Sequence, residues 1–192
     1  MAKSIKGTET EKNLLKAFAG ESQARNRYTF FASVARKEGY EQIGNIFTET
    51  AGNEKEHAEI FFKYLQGGDV EITATYPGGK IGTTLENLEA AAAGEKMEWS
   101  EIYKDMGGTA KKEGFNDVAT AFKEISEVEE FHEKRYRKLA ANVAAGEVFM
   151  KKKVVRWHCT NCGYIHEGTE PPAVCPACKH AKAYYEVLAE NY

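Results

Sequence analysis

Glu54-Lys55-Glu56-His57 returns later in the chain as Glu129-Glu130-Phe131-His132, and this repeated Glu-x-x-His constrains the fold more than any other feature. On a helix, positions i and i+3 share a face, so each copy aims a carboxylate and an imidazole at one point. Each copy follows a glycine turn at the same distance, Glu38-Gly39-Tyr40 before the first and Glu113-Gly114-Phe115 before the second. Two such pairs on facing helices, with further Glu from two other helices, form the donor set of a carboxylate-bridged two-metal site in a four-helix bundle.

The apolar spacing predicts those four helices. The first spans 8–37, with Leu14, Ala17, Phe18, Glu21, Ala24, Tyr28, Phe31 and Ala35 on one stripe. The second spans 41–66, with Ile43, Phe47, Thr50, Glu54, His57 and Phe61. The third, about 84–112, places Glu95 and Glu98 among Leu88, Ala91, Ile102 and Met106. The fourth, about 116–145, carries Val118, Phe122, Ile125, Glu129, His132, Tyr136 and Leu139. Thr8 with Glu11 and Thr83 with Glu86 fit capping boxes. Residues 67–83, rich in glycine around a β-prone run from Val70 to Tyr76, are too long for a tight turn and read as a crossover between helices two and three.

The halves look duplicated. Ala35, Glu38, Gly39, Phe47, Glu54 and His57 recur 75 positions on, at Ala110, Glu113, Gly114, Phe122, Glu129 and His132, and Tyr28 recurs at Tyr103. Ala19-Gly20-Glu21, however, matches Ala93-Gly94-Glu95 at an interval of 74. One extra residue therefore lies between Glu95 and Tyr103, and a single insertion inside a helix is commonly absorbed as a π-bulge. The expected bulge adjoins Glu98, whose counterpart in the first half is Ala24.

The inward-facing polar set is Glu21, Glu54, His57, Glu95, Glu98, Glu129 and His132. Burying that many unpaired carboxylates is prohibitive, whereas two divalent cations nearly balance them. Mixed oxygen and nitrogen donors suit iron or manganese better than copper or calcium. Bridging by Glu54 and Glu129 would hold the ions about 3.5–4 Å apart. A solvated pairing such as Glu21 with Arg25 is the plainer alternative for any one of these acids. Glu56, Glu59, Glu101, Glu130 and Glu133 lie off the stripes and are expected to face solvent, with Glu130 near enough to serve as a fallback ligand. Tyr28 and Tyr103 sit near the ligand level and could hydrogen-bond ligand carboxylates. Gly20 and Gly94, costly in helix interiors, suggest close helix approach beside the site.

All four cysteines fall in two C-x-x-C pairs, Cys159/Cys162 and Cys175/Cys178, separated by a loop over 163–174. In a reducing compartment this pattern favours one tetrahedral metal over disulfides. His158, His166 and His180 are then edge or solvent-facing residues. The expected division is a helical domain over 1–146, a basic hinge over 147–153 and a small metal-stabilised domain over 154–192. The net charge of −3, with mixed signs throughout, gives no reason to expect nucleic acid or a membrane surface as partner. No apolar run follows the N-terminal lysines and none is long enough to span a bilayer, so the cytoplasm is the expected location.

With both motifs in view, the chain resembles the rubrerythrin family along nearly its whole length. Residues 1–146 resemble the ferritin-like di-iron bundle, and Cys-Thr-Asn-Cys-Gly-Tyr with Cys-Pro-Ala-Cys resembles a short-loop rubredoxin. The resemblance implies an all-α ferritin-like bundle plus a β-rich rubredoxin-like domain. It implies a non-haem peroxidase that reduces hydrogen peroxide to water and protects anaerobes from oxidative stress. It implies a carboxylate-bridged di-iron site and one iron on four cysteines, with zinc able to substitute. Electrons would come from rubredoxin or an NAD(P)H-dependent reductase, and the protein would be a homodimer. By resemblance, Glu21, Glu54, Glu95, Glu129 and His132 are constant ligands, while His57 and Glu98 exchange on one iron as the redox state changes. The unmatched Glu98 makes such an exchange plausible: a diferric site prefers the extra anion, and a diferrous site is satisfied by neutral imidazole.

Two rival functions stand beside this. A ferroxidase or iron-handling protein would use the same bundle but has no need of a one-electron relay. A zinc-ribbon interaction protein would explain the cysteines and leave the inward carboxylates without a role.

Overall fold

Thr8 and Thr83 each start a half of the bundle. In the computed structural model, which describes residues 3–191, helix α1 (Glu9–Lys37) begins where the Thr8 side chain accepts from Glu11 N. Glu11 reaches past the expected box partner and accepts from Gly7 N at 2.8 Å. The Thr83–Glu86 box closes in both directions at the start of α3 (Thr84–Met97). The acids that recur at the two glycine turns have a shared task. Glu113 accepts from Thr10 N at 2.9 Å, at the start of α1, and Glu38 accepts from Thr84 N at 3.0 Å, at the start of α3. Each turn thus caps a helix of the bundle through a carboxylate, where the helix dipole favours negative charge. Gly39 and Gly114 both hold φ at +84°, a conformation in which other residues are strained.

Helix α2 (Glu41–Lys63) stops short of the expected residue 66 because Tyr64 N and Leu65 N bond back to Phe61 O and Phe62 O, tightening the last turn. The third helix of the bundle is interrupted as expected. A π turn over Glu98–Ile102 separates α3 from α4 (Tyr103–Lys112), and Tyr103 N bonds to Glu98 O. Helix α5 (Asn116–Ala144) completes the bundle. α1 packs mainly on α2, and α3 and α4 on α5.

The Val70–Tyr76 run forms no strand among the described residues, since no neighbouring segment offers it a ladder. It lies along the bundle as an irregular crossover, tied by the Tyr76 hydroxyl donating to Lys16 O at 2.5 Å.

The core comes in two apolar layers. One gathers Tyr28, Phe31, Phe47, Leu88 and Tyr136, the other Leu14, Phe61, Tyr103, Val118 and Phe122. Along α1 the order is Leu14, Ala17, Glu21, Ala24, Tyr28, so the carboxylate sits between the layers. Along α2 it is Phe47, Ala51, Glu54, His57, Phe61, and along α5 it is Phe122, Ile125, Glu129, His132, Tyr136. Each helix therefore delivers its polar donors at the same level, walled by apolar side chains above and below.

The C-terminal part is a three-stranded antiparallel sheet in the order β2-β1-β3: β1 (Val155–Cys159), β2 (Ile165–Gly168) and β3 (Tyr185–Val187). The expected 163–174 loop thus contains a strand, because β1 supplies the partner that Ile165–Gly168 needs. Trp157 is fully buried and its indole donates to Gly168 O at 3.1 Å. Within the 147–153 segment, Val148 packs against the first apolar layer and Phe149 stacks on Tyr40 at 6.0 Å. No helix is long and apolar enough to cross a membrane among the described residues.

Candidate metal centre

Glu54 and Glu129 each direct one carboxylate oxygen to each imidazole. Glu54 Oε2 lies 2.9 Å from His57 Nδ1, and its Oε1 lies 3.4 Å from His132 Nδ1. Glu129 Oε1 is 2.8 Å from His57 Nδ1 and Oε2 is 2.7 Å from His132 Nδ1. The two rings stack with centroids 6.1 Å apart. Two donor groups result, Glu21 with Glu54, His57 and Glu129, and Glu95 with Glu54, Glu129 and His132. Within each, the ligating atoms lie within 4.8 Å of one another, and the groups share Glu54 and Glu129. This is the connectivity of two metal pockets bridged by two carboxylates.

Glu98 belongs to neither group. It is half-buried and borders a cavity of about 270 Å³ that Gly20, Arg27, Tyr76, Gly94 and Tyr103 also line. Gly20 faces this cavity rather than another helix: a Cβ there would meet the Tyr76 ring at 3.5 Å, and one at Gly94 would meet Arg27 at 3.8 Å. At Gly20 the expected close helix approach is therefore replaced by clearance under the crossover, while Gly94 lies against the end of the Arg27 side chain from α1.

The tyrosines cross between the halves. Tyr28, from the first half, donates to Glu95 Oε1 at 2.5 Å, and Tyr103, from the second, donates to Glu21 Oε1. Each hydroxyl fixes one oxygen of the outer carboxylate of one pocket. Apart from the close carboxylate–imidazole approaches just given, the remaining polar atoms have no regular hydrogen bond: Glu21 Oε2, Glu95 Oε2, both oxygens of Glu54 and Glu129, and Nδ1 of both histidines are buried without one. Buried lone pairs left unpaired are costly, and here all of them converge on two points.

Protons stand in for cations in this arrangement. Burial pulls the His57 imidazole down, but Glu129 and Glu54 outweigh it and push it up to about 10. His132 rises to about 9 against the same opposition. Burial pushes Glu129 up, yet its bonds to His132 and His57 take it down to about 2. Burial and then the neighbouring carboxylates hold Glu21 and Glu95 well above the usual carboxylate range, and bring Glu98 up to about 8. A cluster that must take up protons to be neutral is one that divalent cations would stabilise. Five carboxylates, two imidazoles and the unpaired atoms fit two iron ions.

The cysteines meet the geometric test for one metal. Cys159 Sγ lies 3.8 Å from Cys178 Sγ, and Cys162 Sγ lies 3.7 Å from Cys175 Sγ. A tetrahedral site with metal–sulfur bonds of about 2.3 Å has edges of about 3.8 Å. The backbone N–H of His180 points at Cys178 and helps bring its thiol down to about 6, which favours the thiolate. His158, His166 and His180 stay outside the thiolate group: His158 is 3.8 Å from Glu186, and His180 bonds Asn161 and the Cys178 carbonyl.

Of the acids expected to face solvent, Glu56, Glu59 and Glu101 do so, and Glu130 pairs with Lys134 rather than approaching the cluster. Glu133 does not: it is 7% exposed and accepts from Trp99 Nε1 and Arg137 Nε, both at 2.6 Å. A Glu21–Arg25 pair does not form among the described residues. Sequence spacing also missed Arg135, which donates to Thr50 Oγ1 at 2.7 Å one turn from Glu54.

The model of the rubrerythrin family matches residues 12–140, and that of the rubrerythrin rubredoxin-like domain matches residues 157–186. A rubrerythrin of Porphyromonas gingivalis is 56% identical over 192 residues, covering 100% of this chain and 96% of that protein. A rubrerythrin of Nitratidesulfovibrio vulgaris is 52% identical over 190 residues, covering 99% and 100%. A solved structure of mixed-valence nigerythrin superposes with a TM-score of 0.63 at 29% identity, covering 98% of this chain and 91% of that one. The Glu and His cluster is accordingly a di-iron carboxylate site on a ferritin-like bundle, and the four cysteines form a rubredoxin-like site. From the bridged pockets and the tetrathiolate to the match along the full length, every level agrees that this chain belongs to the rubrerythrin family.

Proposed function

We propose that the protein is a peroxidase that reduces hydrogen peroxide to two waters, using two electrons and two protons. The carrying observation is the union, in one chain, of a two-pocket carboxylate centre and a tetrathiolate centre. A ferroxidase would need only the first, whereas repeated reduction of a substrate needs an electron entry as well. When bound, two ferrous ions supply the pair of electrons that breaks the O–O bond.

The residues divide the work. Residues 1–146 hold the reaction centre, 154–192 form the electron entry, and 147–153 join them. Glu54 and Glu129, shared by both donor groups, would bridge the ions. Glu21 completes one pocket and Glu95 with His132 the other. Tyr28 and Tyr103 keep the two outer carboxylates oriented. His57 and Glu98 would exchange as donors on the Glu21 side. That exchange is supported by His57 standing among Glu21, Glu54 and Glu129 while Glu98 waits outside the group beside the cavity. The electron donor is rubredoxin or an NAD(P)H-dependent reductase, and the working form is a cytoplasmic homodimer with iron at all three positions.

Anaerobic turnover with a reductase, rubredoxin and NADH tests the proposal. Consumption of NADH on addition of peroxide, with no iron deposited, is the expected outcome. Iron accumulation at the expense of peroxide turnover would favour the ferroxidase instead.

A further inference from the structure

The π turn is held from outside the metal centre. A π turn forfeits regular helical bonds and persists where neighbours support it. Two contacts come from α5: Ser126 Oγ donates to Trp99 O at 3.3 Å, and Trp99 Nε1 donates to Glu133 Oε2 at 2.6 Å. Glu133 is itself fixed by Arg137 Nε at 2.6 Å on its other oxygen. Lys104 Nζ lies 5.1 Å over the Trp99 ring and closes the far side. In sequence, Trp99 directly follows Glu98, and Glu133 directly follows His132. The clamp therefore ties the neighbour of the unassigned carboxylate to the neighbour of a fixed imidazole.

The internal repeat supplies a control. At the matching positions of the first half, Glu98 and Trp99 become Ala24 and Arg25, while Ser126 and Glu133 become Ala51 and Ala58. There α1 runs unbroken from Glu9 to Lys37. None of these four side chains has its like at the matching positions of the half whose helix is regular, and all four are present in the half that carries the π turn.

We propose that Glu133 is a positioning residue for Glu98: through Trp99 it holds the π turn in the register from which Glu98 can enter or leave the Glu21 side of the centre. The proposal rests on the Glu98 exchange described above. Without the clamp, residues 98–103 relax toward regular helix and carry Glu98 away from that position.

The test compares Glu133→Ala, Glu133→Gln, Trp99→Phe and the Glu133→Ala/Trp99→Phe double variant in the full, iron-loaded chain. Three quantities are read: amide hydrogen exchange of 98–103, the reduction potential of the di-iron site, and kcat against KM for hydrogen peroxide. Glu133→Ala and Trp99→Phe should each speed exchange in 98–103, displace the potential, and lower kcat about tenfold at unchanged KM, within the usual range for residues supporting metal ligands. The double variant should be no worse than either single one, because both cut the same link. Glu133→Gln still offers an acceptor to the indole and should stay near wild type. Wild-type exchange and potential in an iron-loaded Glu133→Ala or Trp99→Phe protein would overturn the proposal, as would losses that simply add. Should Glu133→Ala fail to fold, Trp99→Phe alone decides by the same readouts. Should the wild type reduce no peroxide, the proposed function fails, while exchange and potential still settle the role of Glu133.

Discussion

Tyr28→Phe and Tyr103→Phe separate the two metal pockets. Each removes one hydroxyl and little else. Tyr28 keeps its ring 5.5 Å from Tyr136 and 6.0 Å from Phe47, and Tyr103 keeps its ring 5.6 Å from Phe61 and 5.7 Å from Phe122. The apolar layers therefore stay packed. The loss falls on the carboxylates: Glu95 Oε1 loses its donor in one variant and Glu21 Oε1 in the other. With Tyr28 1% and Tyr103 2% exposed, bulk water cannot replace the hydroxyl. A hydrogen bond to a charged group is worth about 1.5–3 kcal/mol, which corresponds to roughly 10- to 100-fold in affinity. Competition with a chromophoric chelator for ferrous iron, under anaerobic conditions, measures this directly. Tyr28→Phe should weaken the pocket of Glu54, Glu95, Glu129 and His132, and Tyr103→Phe the pocket of Glu21, Glu54, His57 and Glu129. Each should release one ion early and retain the other. Loss of the same ion from both variants, or unchanged affinity in a folded protein, would refute the assignment of one tyrosine to each pocket.

Metal removal should make stability depend on pH. The raised His57 and His132 contribute fully below 6.5, and that contribution is lost as pH rises through about 9 to 10. Glu21, Glu95 and Glu98 also bind protons more tightly in the fold than in the unfolded chain, so stability falls as pH rises above 4.5, for Glu98 until about 8. Glu129, depressed to about 2, contributes above 4.5 and loses its effect as pH falls toward that value. Urea midpoints of the metal-free protein should thus be lower at about pH 8.5 than at about pH 5.5, and iron loading should flatten the difference. Cys159→Ser or Cys175→Ser, at two fully buried thiols, should remove hydrogen-exchange protection over 155–187 while helical circular dichroism is kept. Glu113→Ala removes the acceptor for Thr10 N and Oγ1, and should cost about 1 kcal/mol by denaturant titration, as losses of helix N-terminal acceptors do.

The bundle and its donors were legible because each of Glu21, Glu54, His57, Glu95, Glu129 and His132 interrupts an apolar stripe, and a stripe is what helical periodicity makes visible. The π turn was legible through arithmetic alone, as a change of repeat interval between Glu95 and Tyr103. Glu133 was not legible. It adjoins His132 and lies off the stripe of a regular bundle, and it is buried because Trp99, in the π turn, meets it. The Val70–Tyr76 run misled because β-propensity acts only where a partner strand exists. The packing of Val148 and Phe149, just before Lys151-Lys152-Lys153, was not legible either, because two apolar residues make no periodic stripe.

The central claim is tested most directly by mixing the fully reduced, iron-loaded protein with hydrogen peroxide in an anaerobic stopped-flow cell. The di-iron and tetrathiolate absorbances are followed separately. Prompt oxidation of the di-iron site with one peroxide consumed per two ferrous ions, followed by electron delivery from the tetrathiolate and renewed turnover when reductant is present, is the predicted result. A di-iron site that peroxide leaves reduced, or a tetrathiolate that never passes electrons to it, would contradict the account.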